Sequence, residues 1–199
     1  DTNGVDLVSS APSAGDLFID ATINLAVGGD LSITATTGNI TQGSEVAVGL
    51  TSTFTTSASN GTITLNDADN TFTGAVALNT NGSSGNATIK NDRALLLAAS
   101  SVGGAFSATA TTGNITQSGA LAITGTSTLV TSANHGTITL TNTGNALTGK
   151  LLITTNDDSP GTLGTVNIDG GTTNLIIGLS TIDGNLTLRS GGTCPGHTV

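Results

Sequence analysis

The sequence predicts an all-β fold, a parallel β-helix (β-solenoid) built of 75–80-residue units of several coils each. Three observations predict it. Residues 36–42 read TTGNITQ and residues 111–117 repeat them; residues 61–65 read GTITL and residues 136–140 repeat those, again 75 positions later. Inside each unit, aliphatic and polar residues alternate with a period of two. Gly or Asn punctuates the short alternating runs. Repeats at a fixed long spacing mark folds made by stacking, in which each unit buries its apolar face against the next.

Taken in order, residues 1–28 read as the tail of a preceding unit, with Leu17, Ile19, Ile23 and Leu25 carrying the pattern. Leu31, Ile33 and Ala35 then alternate with Ser32, Thr34 and Thr36, the mark of a strand with one aliphatic face and one hydroxylated face. Ile63 and Leu65 alternate with Thr62 and Thr64, and Val76 and Leu78 with Ala75 and Ala77. Thr suits such strands because its branched Cβ packs on a pleated surface. Corners are expected at the pairs Gly38 and Asn39, Asn60 and Gly61, Gly113 and Asn114, His135 and Gly136, and Gly144 and Asn145, whose residues tolerate left-handed backbone. No helix is expected.

Overlaying the units aligns Val27, Gly29 and Leu31 with Val102, Gly104 and Phe106, and then with Ile182, Gly184 and Leu186, at offsets of 75 and 80. The extra residues fall near 157–164, where DDSPGTLG replaces the NGSSG of residues 81–85. The expected organisation is one solenoid segment over 1–192, with units at about 29–103 and 104–183 and a partial third from 184. Residues 193–199 form a tail or open another segment. An antiparallel sandwich or barrel would also suit the Asn-Gly steps. Only a β-helix, with each strand lying over its equivalent in the next coil, explains unit-long recurrence in which Leu31 becomes Phe106 without leaving the apolar class. With roughly 19 to 25 residues per coil, a unit holds three or four coils.

Composition bounds the function. Of 199 residues, 9% are charged, 28 are Gly, and the aromatics are four Phe with no Tyr or Trp. That is too little aromatic area for a large globular core. Disorder is the bland reading of so polar a chain, but the hydrophobic 36% sits in regularly placed runs. The formal charge of -9 leaves no basic stripe to displace counterions from phosphates, so nucleic-acid binding is not expected. No apolar run reaches the length of a membrane span, so no membrane insertion is expected. Cys194 is the one cysteine and cannot form an intrachain disulfide. The chain starts at Asp1, and the expectation is a processed product or a piece of something longer.

GGDLSITATTGNITQGS at residues 28–44 and GGAFSATATTGNITQSGALAITGTSTL at residues 103–129 closely resemble the repeats of filamentous-haemagglutinin-like bacterial adhesins. DNTFTGAVALN at 69–79 and GNALTGKLLIT at 144–154 look like the companion segments of those repeats, and the similarity covers roughly residues 16–192. It implies a right-handed parallel β-helical shaft in a large secreted protein, exported across the outer membrane and serving in attachment, aggregation or biofilm. No segment resembles that family's amino-terminal secretion domain, an integrin-type tripeptide or a dedicated carbohydrate pocket.

Each candidate site has a blander competitor. Lys90, Asp92 and Arg93 could neutralise a uronate and abstract a proton, as in a polysaccharide lyase. A polar corner between Ile89 and Leu95 is favoured. Asp67 and Asp69 could pair carboxylates as glycosidases require, yet their counterparts are Asn142 and Gly144, and a turn is favoured. Asp157, Asp158 and Ser159 could gather oxygen ligands for calcium; a solvated loop is favoured. His135 and His197 lack a second imidazole at zinc-ligand spacing, and His135 replaces the turn residue Asn60. Thr runs at 51–57 and 126–132 raise an ice-binding reading, disfavoured because Thr is scattered over many strands. Sequons at Asn39, Asn60, Asn81, Asn86, Asn114 and Asn185 are expected by chance in so Asn- and Thr-rich a chain. No catalytic, cofactor-binding or metal residue is therefore assigned.

The expected function is a non-enzymatic extracellular shaft or surface-fibre component on a bacterial cell surface. A carbohydrate-active β-helix is the alternative. Expected partners are a flanking solenoid, a second copy stacked end to end, or a host or cell-surface glycan or protein.

Overall fold

A computed structural model describes residues 5–9 (backbone only), 15–19, 24–156, 161 and 163–191. The loop candidates Asp157, Asp158 and Ser159, and also Ile23, Cys194, His197 and the tail 193–199, lie outside the described residues. Those described form strands and corners and no helix.

The chain winds as a β-solenoid in which every pairing between named strands is parallel. The first coil is β1 (Val5–Ser9), β2 (Leu17–Ile19) and β3 (Leu25–Val27); the second is β4 (Leu31–Ala35), β5 (Ile40–Gln42) and β6 (Val46–Val48). β7 (Ser52–Ser59), β8 (Ile63–Leu65) and β9 (Thr71–Phe72) follow, then β10 (Val76–Asn81), β11 (Ala87–Asn91), β12 (Leu95–Leu97) and β13 (Ser100–Val102). The same progression resumes with β14 (Phe106–Ala110), β15 (Ile115–Gln117), β16 (Leu121–Ile123), β17 (Ser127–Asn134), β18 (Ile138–Leu140) and β19 (Ala146–Leu147). It closes with β20 (Lys150–Asn156), β21 (Val166–Asp169), β22 (Ile176–Ile177) and β23 (Leu186–Arg189). Among the described residues three sheets result, of twelve, eight and three strands.

Alternation settles which side chains turn inward. β4 buries Leu31, Ile33 and Ala35, and β14 buries Phe106, Ala108 and Ala110. Across coils these meet like neighbours: Ile40 lies between Leu17 and Ile63, and Ile115 between Leu95 and Ile138. The two large inward Phe of the first unit, Phe54 and Phe72, pack edge to face with centroids 5.8 Å apart. Their counterparts 75 residues on are the buried Leu129 and Leu147, so both members of the pair change together. Close packing demands that kind of compensation.

The unit and the coil do not share a period. From β4 to β13 a unit holds ten strands, which is three coils of three strands plus one more. The next unit therefore starts one face further round: Leu31 lies in the twelve-stranded sheet and Phe106 in the eight-stranded sheet. Each strand thus lies on the corresponding strand of the next coil, as expected, but that neighbour belongs to another phase of the 75-residue repeat. Backbone ladders read no sequence; they require only that an inward aliphatic meet another, so unlike phases of the repeat stack as well as like ones.

A fork in the sheet absorbs the mismatch. β10 pairs with two strands of the following coil, Val76 opposite Leu97 and Asn79 opposite Ser101. β20 repeats it, Leu151 opposite Ile177 and Thr154 bridging Thr181. Coil length flexes from 19 residues (Ala87 to Phe106) to 28 (Ile138 to Val166). The longest coil contains residues 157–164, where the sequence showed the insertion.

Corner glycines answer to proximity more than to backbone hand, which corrects the reason given for them from sequence. Of the five corner pairs, only Asn60 and His135 have positive φ, both at 61°. A Cβ on Gly74 would strike the carbonyl of Leu50 in the neighbouring coil, and one on Gly149 the carbonyl of Gly125. Gly149→Ala is therefore expected to destabilise the chain by about 2 kcal/mol. Gly144→Ala, whose Cβ would meet only the side-chain atoms Asn142 Oδ1 at 3.1 Å and Ala120 Cβ at 3.3 Å, is the milder control. Denaturant midpoints of the two variants check the difference.

Candidate functional site

Polar side chains of this fold serve the joints between coils. One buried joint is a clamp of two amides. Asn70 is fully buried at the corner before β9. Its Oδ1 accepts from the Val46 amide and from Gln42 Nε2, both at 2.8 Å. Its Nδ2 donates to Gln42 Oε1 at 3.0 Å and to the carbonyls of Leu65 and Lys90. Three consecutive coils are thus tied by one side chain. Asn145 repeats the set with Gln117, the Leu121 amide and the carbonyls of Leu140 and Asp169. Sequence reasoning missed this clamp, although Gln42 and Gln117, and Asn70 and Asn145, recur at the 75-residue offset. That recurrence of unalike polar residues at one spacing was the available signal.

A second joint recurs at strand starts. The residue just before a strand is often Asp or Asn, and its Oδ1 accepts the amide of the matching residue one coil on. Asp16 accepts from Asn39 at 2.7 Å, Asn39 from Thr62 at 2.8 Å, Asn86 from Ala105 at 2.7 Å and Asn114 from Thr137 at 2.8 Å. Asp30 accepts from the Thr51 hydroxyl at 2.6 Å and the Thr51 amide at 2.8 Å. Those two bonds, the hydroxyl first, hold the Asp30 carboxyl below the ordinary aspartate range.

The sequence candidates fall among these joints. Lys90 lies on β11 and pairs with Thr109, while Asp92 and Arg93 occupy the corner beyond, joined by an ion pair at 2.9 Å. Such an exposed pair contributes little to stability. Surface depressions lie elsewhere, one along the Gly28 and Gly49 corner and two beside Arg189. Asp67 Oδ1 accepts the Asp69 amide at 2.9 Å, and Asn142 Oδ1 does the same for Gly144 at 2.8 Å, so both positions close a turn. His135 shares the φ of Asn60, as its place in the repeat required. No group of three His, Cys, Asp or Glu that could hold a metal ion occurs among the described residues. Of the sequons, Asn39, Asn60, Asn86 and Asn114 each accept a backbone amide through Oδ1.

Thr residues are more ordered than the sequence indicated, which corrects the reading of them as scattered. On the eight-stranded sheet Thr41, Thr64, Thr88, Ser107 and Thr128 lie side by side in register across five coils. Phe18 and Leu152 end the column, and its neighbour runs Lys90, Thr109, Val130, Thr154. On this sheet the hydroxyls form one file, not a flat two-file array.

Two outcomes are expected. Asn145→Ala strips the Leu121 amide and two carbonyls of buried partners and lowers stability by about 3 kcal/mol, read by thermal or denaturant unfolding. For Asp30, the folded pKa lies under the unfolded one, so its stabilising contribution is present at neutral pH and fades as the pH falls through the folded value. Thr51→Ala should move its titration back toward 3.8 in a carboxyl-detected NMR titration.

Comparison with known proteins agrees with the strand phases. No curated protein and no solved structure matches the chain. One family matches, described as repeats of unknown function (DUF5649), over residues 5–79 and 84–154. The two matched copies run from β1 to the third-last residue of β10 and from just before β11 into β20, ten strands each. With the ten-strand unit present twice in both sequence and coil, the chain belongs to the DUF5649 repeat family.

Proposed function

We propose that this chain is a non-enzymatic shaft segment of an extracellular bacterial surface adhesin or fibre. The observation that carries the reading is where the polar chemistry goes. Asn70, Asn145, Asp16, Asn39, Asp30, Asn86 and Asn114 all hydrogen-bond from coil to coil. Lys90, Asp92 and Arg93 line none of the depressions described above. A fold whose polar groups, buried and exposed alike, tie neighbouring coils gains stiffness along its axis. The similarity of residues 28–44 and 103–129 to filamentous-haemagglutinin-like repeats supports the cell-surface setting. In that setting the shaft holds a binding region, for a host or cell-surface glycan or protein, away from the cell.

Strand spacing sets the reach. With coils roughly 4.8 Å apart, a ten-strand unit advances the axis by about 16 Å. Long shafts therefore need many units, as the repeat supplies. Electron microscopy of the native source material is expected to show unbranched rods whose length scales with unit number at this rise. Assays on acidic and neutral polysaccharides are expected to show no turnover. Turnover lost in Lys90→Ala or Arg93→Ala would overturn the proposal in favour of a carbohydrate-active enzyme.

A further inference from the structure

The described solenoid stops on an uncovered coil. Leu186 and Leu188 of β23 stand opposite the buried Val166 and Ile168 and so hold core positions, yet they are 43% and 36% exposed. Ile176 and Ile177 of β22 are 51% and 38% exposed. The edge also carries two exposed asparagines, Asn174 two residues before β22 and Asn185 immediately before β23. Neither makes a side-chain hydrogen bond among the described residues.

The phase of this edge follows from the repeat. β21 pairs with β23 as β1 pairs with β4 and β11 with β14. Leu175 and Ile177 stand where Leu17 and Ile19, and then Leu95 and Leu97, stand in their units. Asn174 thus takes the place of Asp16, and Asn185 the place of Asp30. In the first unit those two carboxylates receive the amides of Asn39 and Thr51, the residues leading into β5 and β7. Leu17 there meets Ile40, and Leu31 meets Ser52.

We propose that the edge formed by β22 and β23 is a docking edge for a further coil of the same repeat, entering in the phase of β5 to β7, and not for the first coil of a second copy. This rests on the shaft reading and names the shaft's neighbour. The first coil, β1 to β3, has the phase of β11 to β13. Its counterparts rest on other partners: β11 on β8, and β12 and β13 together on the forked strand β10. The open edge presents neither a β8-type strand nor a β10-type strand. A second copy would instead bring to this edge a first coil whose counterparts, β11 to β13, rest on strands of the β8 and β10 type. The interface needed is the one already made at β2 with β5 and at β4 with β7.

Inserting a second copy of residues 37–59 after Gly191 tests the proposal in the otherwise intact chain. Amide hydrogen exchange in β23 should slow by about tenfold or more, and the chain should unfold at a higher temperature. In that extended chain Asn174→Ala and Asn185→Ala should reverse part of the gain, while in the parent chain they change nothing. Residues 5–27 inserted at the same point should give no protection. As a second arm that does not depend on folding of the insertion, peptide 37–59 added to the parent chain should slow β23 exchange and peptide 5–27 should not. Equal protection by both segments would overturn the proposal, as would protection of β23 in the parent chain that rises with its concentration. Polysaccharide turnover would sink the shaft reading and leave these exchange results standing.

Discussion

Stacked coils hold only if each backbone ladder meets the next in register with aliphatic side chains superposed inside. This constraint organises the rest of the molecule. An aliphatic column such as Leu17, Ile40, Ile63 and Ala87 buries little area per residue, but every coil adds to it. Because the columns are narrow, aromatic rings are scarce, and the Phe54 and Phe72 pair is matched by two leucines in the following unit. Corners then come so close that a side chain on Gly74 or Gly149 has no room.

A stack of this kind has a weakness at its corners, where the chain leaves the ladder and its amides need new acceptors. Asparagine and aspartate supply them. Asn70 and Asn145 do so inside the core, where each joins three coils and an unpaired amide would be costly. Asp16, Asn39, Asp30, Asn86 and Asn114 do so at strand starts nearer the surface. The high Asn content that makes sequons frequent by chance thus has a structural cause. The same rule accounts for the character of the open edge: Asn174 and Asn185 take strand-start acceptor positions and make no side-chain hydrogen bond among the described residues.

Much of the fold was legible in the sequence. The inward positions of β4 and β14, the turn roles of His135 and Asp67, and the lengthened coil at 157–164 all follow from side-chain pattern and offset. The Asn70 and Gln42 clamp was visible as a recurrence but not as a contact, because 28 residues separate its members and nothing local brings them together. The Thr file on the eight-stranded sheet was hidden for a related reason. Its members, Thr41, Thr64, Thr88, Ser107 and Thr128, are spaced by 23, 24, 19 and 21 residues, and no fixed period finds them.

The sequence by itself determined the strand period, the inward face of each strand, the 75-residue unit and the places where the chain must turn. These are local consequences of branched and aliphatic side chains alternating between Gly and Asn corners. Only the tertiary structure decided which strand lies on which. Ten strands do not divide into whole coils of three, and backbone hydrogen bonds are indifferent to side-chain identity. The fork at β10 and β20, and the one-face rotation it produces, therefore appear only when the coil is closed.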